Sequence, residues 1–253
     1  MQQRWPIRLW VVRHGESAGN VARDAAHAAG LTQIDIADRD VDVSLSALGE
    51  EQSRALGRWF ANMGVQERPE IVLTSPYRRS CRTAELIRIS GGLAPNPEVI
   101  VDERLREKEF GILDRLTRSG IEQQYPEQAE FRRLLGKFYH RPPGGESWCD
   151  VILRLRSALD TVSLHHSGRR VLIVGHQVVV LCMRYLLEDL NEEQILSIDA
   201  EADVANCAVT EYAFDPGRGK DGGLKLQRYN FVAPLERAGA PVTTEPDAKV
   251  AAR

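Results

Sequence analysis

Apolar and polar positions fall into blocks that switch period along the chain. Residues 7–12 form a β-branched, apolar run that stops at Arg13-His14-Gly15-Glu16-Ser17, which predicts a buried strand giving way to a polar turn. From Ser46 onward Leu48, Leu56, Trp59, Phe60 and Met63 recur at helical spacing, with Gly64 as the stop. A second short strand, Ile71-Val72-Leu73, leads at once into Thr74-Ser75-Pro76-Tyr77-Arg78-Arg79 and a helix ending near Ile89. A third strand is expected at 99–101. Residues 114–139 are helical in pattern and polar in composition between two core elements, as an inserted cap would be. A helix over 148–165, a strand over 171–174 and a further helix after Gly175-His176-Gln177 follow, and 208–214 with 224–229 read as a closing hairpin. Strand and helix alternate, so the predicted fold is α/β, a three-layer α/β/α arrangement with a mostly parallel central sheet and a helical cap near 112–143. The domain is expected to span 1–233, with 234–253, rich in Pro, Ala, Glu and Thr, a disordered tail.

Composition narrows the function classes. Lys+Arg 33 against Asp+Glu 36 gives a net charge of -3, so any anion site is local, and neither nucleic acid nor a membrane surface is an expected partner. The most apolar stretch, 171–187, is broken by His176, Gln177 and Arg184, which excludes a bilayer span. The first residues lack the pattern of a signal peptide, and the four cysteines form no Cys-x-x-Cys pair. A soluble protein of the reducing cytoplasm is the expectation.

The candidate chemistry lies at strand ends. Arg13 and His14 follow the first strand, Arg78 and Arg79 the second, and His176 the strand at 171–174. In an open α/β sheet the carboxyl ends of neighbouring strands meet at one crevice, so these side chains can converge. Alone such a cluster is unfavourable; around a dianion it is favourable, because guanidinium forks match phosphate oxygens. Each residue taken singly reads better as a surface ion or a hydrogen-bonded core histidine, and only their joint placement points to phosphate. A neutral imidazole can attack phosphorus, and neighbouring guanidiniums disfavour its protonation. Fixed Arg and protonated His can take the place of a metal, and the six histidines give no ligand spacing, so neither metal nor cofactor is expected.

Arg13-His14-Gly15-Glu16-Ser17 with Asn20 resembles the signature of the histidine phosphatase superfamily, the phosphoglycerate-mutase-like enzymes. Leu45-Ser46-x-x-Gly49-x-x-Gln52, Thr74-Ser75-Pro76-Tyr77-Arg78-Arg79 with Thr83-Ala84, Leu105-Arg106-Glu107, Gly144-Gly145-Glu146-Ser147 and Gly175-His176 match in order. The resemblance implies His14 as nucleophile, Arg13, Asn20, Arg79 and His176 as phosphate ligands, and Glu107 as proton donor. Glu103 and Glu109 lie in the same acidic run and compete with Glu107 for that role. A proton donor must carry its proton, which suggests a neutral-to-acid optimum. Ser17, Gln177, Arg132 and Arg133 are candidate substrate contacts. The mutases carry Gly-Asn-Ser after the second histidine; Gln177-Val178-Val179 here is closer to the fructose-bisphosphatase branch. Metal-independent hydrolysis of a small phosphorylated metabolite through phosphohistidine is therefore favoured over a mutase dependent on 2,3-bisphosphoglycerate, for which Arg132-Arg133 would bind a carboxylate. Two rivals have other chemistry. Gly15-Glu16-Ser17-Ala18-Gly19 fits a serine-hydrolase elbow, though too little chain precedes Ser17 for the usual oxyanion hole. A non-catalytic phospholigand-binding module would need only the cations, not two imidazoles and an acid. A homodimer is the assembly considered.

Overall fold

Strand β1 (Arg8–Arg13) lies inside a six-stranded sheet of order β3-β2-β4-β1-β5-β6, in a computed structural model that describes residues 4–93 and 97–244. β2 (Ile71–Thr74), β3 (Glu98–Val101) and β4 (Arg170–Gly175) run parallel to β1, whereas β5 (Val209–Asp215) pairs antiparallel with β1 and with β6 (Gly223–Phe231). The central strands are continuous apolar runs because both faces of the sheet are covered. Leu9, Val11, Ile71, Leu73, Val171 and Ile173 enter one core, beneath α6 (Trp148–His165) and α7 (Gln177–Leu187). Trp10, Val12, Val72, Leu172 and Val174 enter the other, with residues of α2 (Ala47–Ala61) and α3 (Arg78–Ser90). The alternation along each strand thus divides the molecule into three layers.

Local chemistry sets the helix starts. Ser46 caps α2 by accepting from the Gly49 amide, and Ser147 and Asp150 form a reciprocal cap on α6. α2 ends at an Asn62 cap, ahead of Gly64. α4 (Arg118–Gln124) and α5 (Pro126–Tyr139) form the helical insertion, and α5 kinks at Gly136, whose φ of 78° suits glycine. The insertion is stitched to the loop after α1 (Ala18–Ala28): the Thr117 amide donates to Thr32 O, and the Ile34 amide to Arg115 O. Helix α8 (Glu192–Glu201) carries little of the amphipathic pattern that marks the other helices, and the sequence reading passed over it; an Asn191–Gln194 cap starts it. No helix among the described residues is long and apolar enough to cross a membrane.

The predicted disordered tail needs correction over its first part. Residues 233–238 form α9 (Ala233–Ala238), and Leu235 and Ala240 are buried in the second core with Phe60 and Trp10. The Asn206 amide donates to Thr243 O, and Gln52 Nε2 donates to Pro241 O and to Thr243 Oγ1. The segment lacks periodicity because it is held by one leucine, one alanine and polar contacts rather than by an amphipathic face. Residues 245–253 lie outside the described part.

Leu235 is 0% exposed. Leu235→Ala should therefore destabilise the protein by about 2–4 kcal/mol, read as a lower denaturant midpoint at unchanged slope. A variant that unfolds like the parent would mean that this end of the chain does not pack.

Candidate active site

The loop leaving β1 is held from three sides. The His14 amide donates to Gly175 O on neighbouring β4, Asn206 Nδ2 donates to His14 O, and the Gly15 amide donates to Thr83 Oγ1 on α3. The start of α2 presses against the same loop. A Cβ at Gly49 would lie 1.9 Å from Glu16 O, Ser46 Oγ donates to Glu16 Oε1, and Gln52 Oε1 accepts from the Glu16 amide. Gly49 is glycine for this close approach, which explains its spacing from Ser46 and Gln52.

His14 is 3% exposed, with Nδ1 donating to Gly15 O at 2.7 Å. That bond leaves the lone pair on Nε2, which accepts from Arg79 Nε at 3.2 Å. Burial, then the charges of Arg79 and Arg13, hold the imidazole well below its ordinary pKa, so it is neutral at neutral pH. Burial leads, ahead of the arginine charges to which the sequence reading gave the effect. Arg79 is buried and its guanidinium lies over the Tyr77 ring, whereas Arg78 is exposed.

His176 faces His14 with ring centroids 5.1 Å apart. Its Nε2 lies 2.8 Å from Ser75 Oγ, which itself accepts from the Tyr77 amide. The serine hydroxyl hydrogen is thus free to point at Nε2, which puts the ring hydrogen on Nδ1. Nδ1 is buried, makes no hydrogen bond, and looks toward Glu107 Oε2 at 3.6 Å. Burial, then Arg79 and the other nearby positive groups, also lowers the pKa of His176 strongly. His176 thus offers a neutral N–H rather than the protonated imidazole expected from sequence.

Glu107, rather than Glu103 or Glu109, lines the cavity into which His14 and Arg79 open; Glu103 is exposed and Glu109 accepts from Tyr77 Oη at 3.0 Å. The Glu107 carboxylate accepts from the Lys108 amide, and Arg154 Nη2 donates to Glu107 O. Arg154 is in turn held by Glu146, which also pairs with Arg106. Glu146 therefore acts at a distance, fixing the loop that carries Glu107.

Other predicted residues divide. Arg13, Asn20, Ser17 and Gln177 line the cavity, about 770 Å³ in extent, with His14, Arg79 and Glu107. Ser17 caps α1: its Oγ accepts from the Asn20 amide and donates to Asn20 Oδ1, with no imidazole base beside it among the described hydrogen bonds. The geometry gives a serine-hydrolase elbow no support. Gln177 is not free to contact substrate, since Oε1 accepts from Arg13 Nη1 and Nε2 donates to Asp203. Arg132 lines an adjoining chamber of about 850 Å³ under the insertion. Arg133 points away, exposed and paired with Glu130. The two arginines do not act as a pair, because consecutive helical positions face different directions. Sequence reasoning missed Asp40, which forks onto Arg79, and Asp203; the acidic run Asp38, Asp40, Asp42 was the available signal for the first. Among the described residues no group of three or more His, Cys, Asp or Glu is placed to hold a metal ion.

The family model of the histidine phosphatase superfamily (branch 1) matches residues 9–225. The chain belongs to this superfamily. A relative described as probable phosphoglycerate mutase GpmB, from Yersinia enterocolitica, is 31% identical over 179 residues, covering 70% of this chain and 73% of the relative. A probable fructose-2,6-bisphosphatase of Schizosaccharomyces pombe is 29% identical over 187 residues, 74% of this chain and 40% of that one. Among solved structures, Bacillus stearothermophilus YhfR superposes with a TM-score of 0.70 at 25% identity, covering 90% of this chain and 98% of its own. The mycobacterial glucosyl-3-phosphoglycerate phosphatase, solved with inorganic phosphate, shares the fold with a TM-score of 0.65 at 22% identity, covering 90% and 98%.

Because burial holds the native pKa values of His14 and His176 below the ordinary histidine value of about 6.5, the native state binds fewer protons than the unfolded chain on the acid side. Stability present above that value should fall as pH falls through it, by up to about 1.4 kcal/mol per pH unit for each histidine. His140, pushed down to about 4 mainly by burial, adds the same sign between 6.5 and 4. Nitrogen-15 NMR at pH 6 should show His14 and His176 neutral, each with its hydrogen on Nδ1; an imidazolium signal from His14 would contradict this electrostatic reading.

Proposed function

We propose that the protein is a phosphomonoester hydrolase that works through phosphohistidine at His14. The observation that carries this reading is the Nε2 lone pair of a neutral, backbone-locked imidazole aimed into a cavity beside Arg79 and His176. In the first half-reaction Nε2 attacks phosphorus, the phosphorus–oxygen bond to the alcohol breaks, and Glu107 transfers its proton to the leaving oxygen. In the second, Glu107 takes a proton from water as its oxygen attacks the phosphoryl group, releasing orthophosphate and restoring His14. Arg13, Arg79, Asn20 and the Nδ1–H of His176 stabilise charge on the equatorial oxygens, so the step requires positioning and fixed dipoles more than covalent help. The free thiols of Cys81, Cys149, Cys182 and Cys207 support a reducing compartment, the cytoplasm, as the place of action.

A mutase is the second reading, favoured by the description of the Yersinia relative and by Arg132 in the chamber next to the site. Against it, Gln177 is spent on orienting Arg13, and Arg133 is turned to solvent.

His14→Ala should reduce turnover of phosphomonoesters by several orders of magnitude, and acid-quenched wild-type enzyme should retain phosphate on His14. Activity should persist after exhaustive chelation. With 3-phosphoglycerate, orthophosphate release should exceed formation of 2-phosphoglycerate. Interconversion stimulated by 2,3-bisphosphoglycerate and faster than phosphate release would establish the mutase instead, and a fully active His14→Ala would remove both readings.

A further inference from the structure

We propose that Asp40 is a built-in stand-in for the phosphoryl group, forking onto Arg79 and competing with phosphate for it. This rests on the phosphoryl-binding reading of the cavity. Asp40 opens a short 3-10 turn, Asp40–Asp42, in the loop between α1 and α2. Its Oδ1 accepts from Arg79 Nη1 at 2.9 Å and its Oδ2 from Nη2 at 3.4 Å, while its backbone O also accepts from Nη1 at 2.6 Å. With Nε given to His14, the face of the guanidinium that would fork onto phosphate oxygens is occupied by a planar anion of similar geometry.

Exposure shows which partner can leave. The Arg79 side chain is 6% exposed, that of Asp40 42%. Asp40 is part of an exposed loop, whereas Arg79 is set in a long helix against the sheet. The placement of the loop is not accidental, because Arg115 Nη2 donates to Asp38 O and the Ile34 amide to Arg115 O, fixing it to the insertion. A second carboxyl, Asp114, stands at the same rim, its pKa raised by burial and then by the charge of Asp40. Two acids thus approach each other at a cavity mouth, and Arg79 compensates one of them. Any phosphoryl group entering the fork displaces the carboxylate, and the returning carboxylate helps expel orthophosphate after hydrolysis.

The experiment measures orthophosphate and orthovanadate binding to the full chain by calorimetry, together with KM for a phosphomonoester, for wild type, Asp40→Asn and Asp40→Ala. Removing the competing charge should tighten both ions by about twofold to fivefold and lower KM by a similar factor, as expected when a half-exposed forked pair no longer has to be broken. A merely structural loop residue would not move the three values together. Unchanged or weaker binding in both variants overturns the stand-in role. A wild type that binds neither ion would instead overturn the phosphoryl reading on which it rests.

Discussion

On the proposed reaction, the imidazole of His14 has to remain neutral while standing among the cations that a phosphoryl group would require. Every element near His14 serves that constraint. Burial removes the water that would stabilise imidazolium, Gly15 O takes the one ring hydrogen, and Arg79 both repels a second proton and approaches the remaining lone pair as a donor. The sheet provides the geometry, since β1, β2 and β4 run parallel and deliver Arg13-His14, Ser75 and His176 to one edge. Reversing β1 or β4 alone would separate the two histidines by the length of a strand.

The same constraint explains the outer ring of contacts. Arg13 has Gln177 behind it, and Gln177 has Asp203; the Glu107 loop has Arg154 behind it, and Arg154 has Glu146. Charged groups buried around a small anion site need fixed partners, because a mobile guanidinium would lose both orientation and its solvation. Gly144-Gly145-Glu146-Ser147 does two jobs in four residues: Ser147 starts α6 and Glu146 locks the acid-bearing loop to that helix.

The sequence made the central architecture legible because strands covered on both faces must be apolar throughout, and because a strand broken by Arg-His-Gly can only be a strand end. Helices α2 and α6 showed themselves through repeated leucines and aromatic residues, and through the serine caps Ser46 and Ser147. What stayed hidden depends on meeting partners distant in sequence. Asp40 and Arg79, Gln177 and Arg13, and Asp203 behind them are ordinary polar letters until the fold joins them. Whether Arg132 and Arg133 work together turned on helix phase, which a two-residue motif cannot express.

Gln52 has a carbonyl end that receives the Glu16 amide and an amide end that holds Pro241 and Thr243. One side chain therefore couples the loop beside His14 to a segment more than two hundred residues later. Thr243 is further engaged with Asn206, whose amide group supports His14 O, so the coupling closes into a ring. The stretch after α9 is a strap drawn across the back of the His14 loop. Clipping it with a protease, or pulling on it with a bulky fusion, would slacken the seat of the imidazole from behind while leaving every residue at the front in place.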